Sequence, residues 1–192
     1  MSGGPVIRRA LQSDAAPIGK IYNQAIEDQL FATCDVKPVT VESRIEWLAS
    51  HQDPFPVFVY EDKTDGVVGW SALNKFSVRS SLPTIAEISV YVDRSRRSKL
   101  IGGRLFLHII NEAKRLGFRS LVSLTLERNE ASIRGLEAVG FRRAACLSEV
   151  AMLRDERVNV VWLQKELAGD WSEELKVFMK RLSNEAGDSA AV

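Results

Sequence analysis

Apolar and polar positions follow two different periods along this chain, and the changes of period mark its elements. Val6-Ile7-Arg8-Arg9-Ala10 reads as a short strand. Ser13-Asp14 then cap a helix in which Ile18, Ile21, Tyr22 and Ile26 recur at helical spacing. Residues 31–40 show no period, contain Pro38 and read as a loop. Thr40-Val41-Glu42-Ser43 has a capping-box pattern and opens a second helix running to about residue 50. Pro54 and Pro56 lead into a strand at 57–60, Asp65-Gly66 signals a hairpin turn, and 67–73 is the returning strand.

The second half repeats this alternation. Residues 86–92 form a strand rich in β-branched side chains. A long helix over 102–116 ends at Gly117, which suits a C′ glycine. A strand at 120–126, a helix at 131–139 closed by Gly140, and a late strand at 158–163 follow. The order is β-α-α-β-β-β-α-β-α-β without repeat or linker, so residues 1–167 read as one α/β domain. Residues 168–192 differ in kind. Trp171, Leu175, Phe178, Met179 and Leu182 make one apolar helical stripe that would pack on the domain or a partner subunit, and the end would fray.

Composition narrows the function classes. The chain has 192 residues, 45% hydrophobic and 27% charged, enough for one sizeable core. A net charge of +1 gives no global field toward nucleic acid or membrane. Arg94, Arg96, Arg97, Lys99 and Arg104 do cluster, without the interleaved aromatics of a nucleic-acid surface. Beside a strand end, the cluster can receive phosphates. No G-x-G-x-x-G follows the first strand, which argues against a dinucleotide fold. Cys34 and Cys146 are too few for a disulfide framework and fit no metal spacing, so no metal site is expected. The chain contains no run of about 20 apolar residues and starts without an apolar signal region, so a cytoplasmic protein with no membrane partner is expected.

Three segments in order carry chemistry. Glu87-Ile88-Ser89-Val90-Tyr91-Val92 feeds a basic turn, Arg96-Arg97-Ser98-Lys99-Leu100-Ile101-Gly102-Gly103, that opens a helix. Unpaired N–H groups at such a helix start attract anions. Asn129-Glu130-Ala131-Ser132-Ile133 then precedes Gly140-Phe141. Together these segments resemble the coenzyme-A core of the GNAT superfamily of N-acetyltransferases. Within it they are most similar to the phosphinothricin and methionine-sulfone acetyltransferase branch. Ile21-Tyr22-Asn23, Arg44-x-x-Trp47-Leu48, Val68-Gly69-Trp70 and Phe76-x-x-Arg79 also match, and the similarity covers about residues 5–166.

The resemblance implies a central mixed, twisted sheet flanked by helices, with two parallel strands splayed near a bulge at the acetyl-CoA site. It implies that Arg97, Ser98, Lys99, Leu100, Ile101, Gly102 and Gly103 hold the pyrophosphate. Val90, Tyr91 and Val92 would bond the pantetheine and polarise the acetyl carbonyl, with Asn129 and Ser132 alongside. Glu87 matches the proposed base of relatives. Phe76 and Arg79 match positions that contact the amino-acid substrate, where an Arg can pair a carboxylate bidentately. Acetyl-CoA, a small amine acceptor and a homodimer are the implied partners.

Departures from the family pattern cluster at ligand-facing positions. Ser98 and Leu100 stand where glycines are usual, Gly135-Leu136 replace Leu-His, Leu82 replaces a Tyr and Cys34 a Phe. If the turn needs only right-handed backbone at Leu100, N–H donation survives; if it needs close approach to phosphate, the cofactor is displaced. Two readings follow: an acetyl-CoA-dependent N-acetyltransferase of a small amino-acid-like amine, or a catalytically degenerate relative serving as an acyl-CoA-binding or interaction module.

Overall fold

Seven strands form one sheet in the order β1-β2-β3-β4-β5-β7-β6. They are β1 (Val6–Arg9), β2 (Val57–Asp62), β3 (Gly66–Lys75), β4 (Ile85–Val92), β5 (Ser120–Leu126), β6 (Arg142–Leu153) and β7 (Glu156–Glu166). The helices are α1 (Ala15–Glu27), α2 (Val41–Ser50), α3 (Ile101–Arg115) and α4 (Glu130–Ala138). This computed structural model describes residues 4–28, 33–79, 81–97, 100–153 and 155–167. The expected helical stripe from Trp171 to Leu182 lies outside the described residues, as do Ser98 and Lys99.

The side-chain period of two divides the sheet's faces. Val57 and Val59 of β2 pack with Trp70 and Ala72 of β3 under Ile18, Ile21 and Tyr22 of α1. Phe58, Leu73, Ala86 and Ile88 face the other way, onto Ile109, Ile110 and Ala113 of α3 and Ile133 and Leu136 of α4. Hence the molecule is a three-layer sandwich with α1 and α2 on one face and α3 and α4 on the other. Gly69 of β3 is a fitting point: a Cβ there would meet Leu105 Cδ1 at 3.0 Å and Tyr91 O at 3.1 Å. Its absence lets α3 lie close on the sheet.

Most elements form where the period places them, with three differences. Asp14 does stand at the start of α1, but its carboxylate makes no cap bond. It accepts instead from Leu11 N–H (2.7 Å) and pairs with Arg8 (2.7 Å). At α2 the cap forms, with Ser43 N–H donating to Thr40 Oγ1 at 3.1 Å, although Ser43 hydroxyl returns to Thr40 O rather than to its N–H. The third difference is β6, a whole strand that the sequence reading leaves out. Its residues are exposed along nearly their full length, so no apolar alternation marks it; pairing with β7 alone defines it.

Candidate active site

β4 is paired unequally on its two sides. On β3 the antiparallel ladder runs unbroken from Lys75↔Ala86 to Gly69↔Val92. On β5 the parallel ladder holds only Ile85↔Ser120, Ala86↔Leu121 and Glu87↔Val122. Beyond Glu87 the two strands part, and β5 satisfies its other edge against β7 as far as Leu126↔Val160. The splay expected by resemblance is present, but the bulge is not on β4. The nearest register shift lies between β2 and β3, where Val68 is the extra residue.

Backbone alternation then assigns the groups that face this gap. Asp93 N–H donates to Val68 O at 2.9 Å, toward β3. Residues two apart point the same way, so Tyr91 and Ser89 also turn their backbone groups to β3. Val90 and Val92 turn theirs to the open side. An extended chain laid in the gap would find these two amides, much as an added strand does. Tyr91 contributes its ring, stacked on Trp70 at 4.7 Å and edge-on to Tyr22 at 5.0 Å.

The start of α3 closes one end of the gap. Its first intrahelical bond is Arg104 N–H to Leu100 O at 3.0 Å, leaving the amides of Ile101, Gly102 and Gly103 without helical acceptors. A Cβ on Gly103 would meet nothing within 4 Å, and one on Gly102 only Val92 Cγ2 at 3.7 Å. Packing inside the protein therefore does not demand either glycine, whereas a phosphate approaching the helix start would. Leu100 does not take the right-handed conformation: it is left-handed, with φ 59° and ψ 6°, and its side chain lies outward. An L-residue there costs about 1–2 kcal/mol that glycine avoids.

The basic turn is not a set of free charges. Arg97 donates to Asp28 at 2.7 Å, Arg94 reaches Asp28 at 2.6 Å and Glu27 at 3.0 Å, and Arg96 pairs with Asp65. Gln24 clamps the same turn, giving a hydrogen bond to Asp93 (3.0 Å) and accepting one from Arg94 N–H (2.9 Å). Neither Gln24 nor Asp28 stood out in the sequence. Across the gap, Asn129 caps α4 by accepting from Ser132 N–H at 3.1 Å. Its Nδ2 has no partner among the described residues, so capping leaves a donor for a second role. Leu136, where relatives carry His, is core.

At the other end, Glu87, Ser89 and Tyr91 project from one face of β4 into a cavity of about 410 Å³. Its other walls include Tyr22, Cys34, Asp35, Arg44, Trp47 and Asn74. Burial pushes the Glu87 carboxyl above the usual carboxylate range, with no neighbouring cation offsetting it. Asn74 amide donates to Ser89 Oγ at 3.0 Å, and His51 Nε2 lies 3.1 Å from Asn74 Oδ1. Tyr22 hydroxyl donates to Asp35 and lies 3.0 Å from Thr33 Oγ1. Burial and that carboxylate hold its pKa up to about 12. Burial likewise raises Tyr91. A desolvated carboxylate beside unpaired backbone donors suits proton removal from an amine and stabilisation of an oxyanion.

Phe76 and Arg79 are elsewhere. Phe76 packs on Trp162 of β7 at 5.5 Å, Arg79 is exposed, and neither lines the cavity. Arg44 does line it, a residue whose match to relatives is legible but whose position is not.

The comparisons agree with this geometry. A model of the acetyltransferase (GNAT) domain matches residues 7–162. The chain is 31% identical over 162 residues to the YwnH protein of Bacillus subtilis, covering 84% of this chain and 99% of that one. It is 29% identical over 163 residues to the L-methionine sulfoximine/L-methionine sulfone acetyltransferase of Salmonella typhimurium, covering 84% and 94%. Among solved structures it superposes on yncA of Salmonella typhimurium, a protein solved with its cofactor acetyl-CoA, with a TM-score of 0.82 and 27% identity, over 88% of this chain and 96% of that one. With the splayed sheet, the open helix start and the matched domain in register, the chain belongs to the GNAT acetyltransferase family.

Proposed function

We propose that this protein transfers an acetyl group from acetyl-CoA to the amine of a small amino-acid-like substrate by direct attack. One observation carries the reading: the β4–β5 ladder ends at Glu87, and the same residue lines the cavity where the gap opens. Acetyl-CoA supplies the thioester; attack by the amine forms a C–N bond and breaks the C–S bond, and the nitrogen's surplus proton passes to the departing coenzyme-A thiolate. Glu87 takes the ammonium proton, directly or through water, so that the nitrogen attacks as a free amine. Val90 and Val92 amides steady the acyl oxygen and the pantetheine arm, and Asn129 Nδ2 serves the same arm. The amides of Ile101, Gly102 and Gly103, with the backbone of Leu100 and the side chains of Ser98 and Lys99, take the pyrophosphate, and Arg97 joins them by exchanging its Asp28 pair for phosphate.

L-methionine sulfoximine, L-methionine sulfone and phosphinothricin, on which its relatives act, support an amino-acid-like acceptor. A homodimer is part of this reading, supported by the long, exposed outer edge of β6, which a second chain can cover. No helix among the described residues is long and apolar enough to cross a membrane. Dependence on acetyl-CoA supports a cytoplasmic location.

The left-handed Leu100 and the Asp28-bound Arg97 favour a second reading, an interaction module derived from an enzyme. Calorimetric titration with acetyl-CoA separates the two. The enzyme reading expects micromolar binding followed by acetylation of amines in a screen; absent binding supports the module.

A further inference from the structure

The cavity beside Glu87 holds a positive charge that acetyl transfer itself does not use. Arg44 of α2 lies over two aromatic rings, its guanidinium carbon 4.7 Å from the centre of Tyr22 and 4.8 Å from that of Trp47. Its Nε is buried with no hydrogen-bond partner, and it forms no ion pair among the described residues. Every arginine of the phosphate-side turn from Arg94 to Arg97, by contrast, has a carboxylate partner. Burial lowers the Arg44 pKa, against the opposing pull of Tyr22, Asp35 and Tyr91. One rival counter-charge in the cavity wall, Asp35, is committed to the Tyr22 hydroxyl.

A guanidinium is retained in such a place at a cost unless something pairs it. Its stem is also fixed. It crosses α1 at Gly19, where a Cβ would come within 3.2 Å of Arg44 Cγ. The planar fork is thus held in the cavity wall, preorganised for a planar anion. The walls carry one guanidinium and two carboxylates, Arg44 with Asp35 and Glu87. That pattern complements a zwitterion with one carboxylate and one ammonium.

We infer that Arg44 is the specificity-determining residue that pairs the α-carboxylate of a free amino-acid acceptor while its amine turns toward Glu87. This rests on the acetyltransferase reading above and shifts the carboxylate contact away from Arg79. It makes free amino acids the substrate class and excludes simple amines, amides and peptide carbonyl analogues as good acceptors.

The test compares L-methionine sulfone with its decarboxylated counterpart, 3-(methylsulfonyl)propylamine, on wild type, Arg44→Met, Arg44→Lys and Arg79→Ala. Arg44→Met keeps the part of the stem that passes Gly19 but removes the charge, and acetyl-CoA titration checks that each variant retains its cofactor end. Wild type is expected to prefer the amino acid. Arg44→Met loses about 30-fold or more in kcat/KM for it, mostly through KM, and less than about threefold for the amine. Arg44→Lys recovers part of the preference. Equal losses on both acceptors, a wild type indifferent to the carboxylate, or a loss confined to Arg79→Ala would each overturn the assignment. A protein that binds acetyl-CoA but acetylates neither acceptor sinks the acetyltransferase reading instead. Arg44 is then judged by calorimetric titration with L-methionine sulfone: binding that disappears in Arg44→Met upholds its role, and absent or unchanged binding rejects it.

Discussion

The two ends of the gap between β4 and β5 handle charge in opposite ways. At the α3 end, three backbone amides are open while the arginines around them are already bound to Asp28, Glu27 and Asp65. At the Glu87 end, backbone is mostly paired and the side chains are left over: a desolvated carboxylate and a guanidinium with no ion-pair partner among the described residues. The difference teaches where recognition energy resides. A cluster of basic residues in sequence is not a phosphate site by virtue of its charge, because neighbours can neutralise it. Unsatisfied groups mark a site better, whether they are amides at a helix start or a half-buried guanidinium whose Nε is enclosed without a partner.

The largest expected effect lies at the carboxylate end. Glu87→Gln should lower kcat about 100-fold or more while acetyl-CoA affinity holds, as steady-state kinetics with parallel calorimetry would show. Since burial raises the folded pKa of Glu87, wild-type activity should rise with pH through an apparent pKa above the ordinary glutamate value, and the variant should lack that rise. The sign for stability is the reverse. The protonated carboxyl is favoured in the folded state, so this group's contribution is fully present below the unfolded pKa and fades as pH climbs through the folded one. Denaturation across this range should show Glu87→Gln gaining on wild type toward neutral pH. A variant with unchanged kcat would place the base elsewhere.

A smaller effect is expected at the phosphate end. Asp28→Asn removes the carboxylate that Arg97 and Arg94 share, and leaves both guanidiniums available to an anion. Acetyl-CoA binding should tighten by roughly threefold at low salt and converge with wild type at high salt, since pairs with a solvent-reached guanidinium contribute only about 1 kcal/mol. Weaker binding would mean that Asp28 holds the turn in its receptive shape.

The smallest is at Leu100. Glycine would remove the left-handed penalty of about 1–2 kcal/mol but adds chain entropy of roughly 0.5–1 kcal/mol to the unfolded state. Leu100→Gly should therefore raise stability by about 1 kcal/mol or less, read as a higher urea midpoint at constant slope. Lower stability would mean that the leucine side chain makes a contact worth more than its strain.

Much of this was legible in the residues. The helices are placed to within a residue or two: α1, α3 and α4 each bury one stripe, as α3 does with Leu105, Ile109 and Ala113, and α2, which buries no residue fully, is marked by its Thr40 cap. The hairpin at Gly66, with φ 68°, and the helix stop at Gly117, with φ 87°, were written in glycine because the backbone there requires it. β6 was not legible. Its outward residues bury nothing, and a strand made by pairing alone leaves no hydrophobic period. The length of the β4–β5 ladder was equally silent, and only the family likeness implied the splay.

What the chain by itself determined is every element but β6, the order of the acetyl-CoA segments and the place of Glu87 just before Ser89-Val90-Tyr91-Val92, since local periodicity and contiguous motifs survive in one dimension. Tertiary structure alone decided that Val90 and Val92, rather than Tyr91, turn their amides to the gap, and that Arg97 is spent on Asp28. It also brought Tyr22, Arg44 and Glu87 from α1, α2 and β4 around one cavity. Pairing and desolvation depend on neighbours distant in sequence, so the charge left unpaired becomes visible only once the chain has folded.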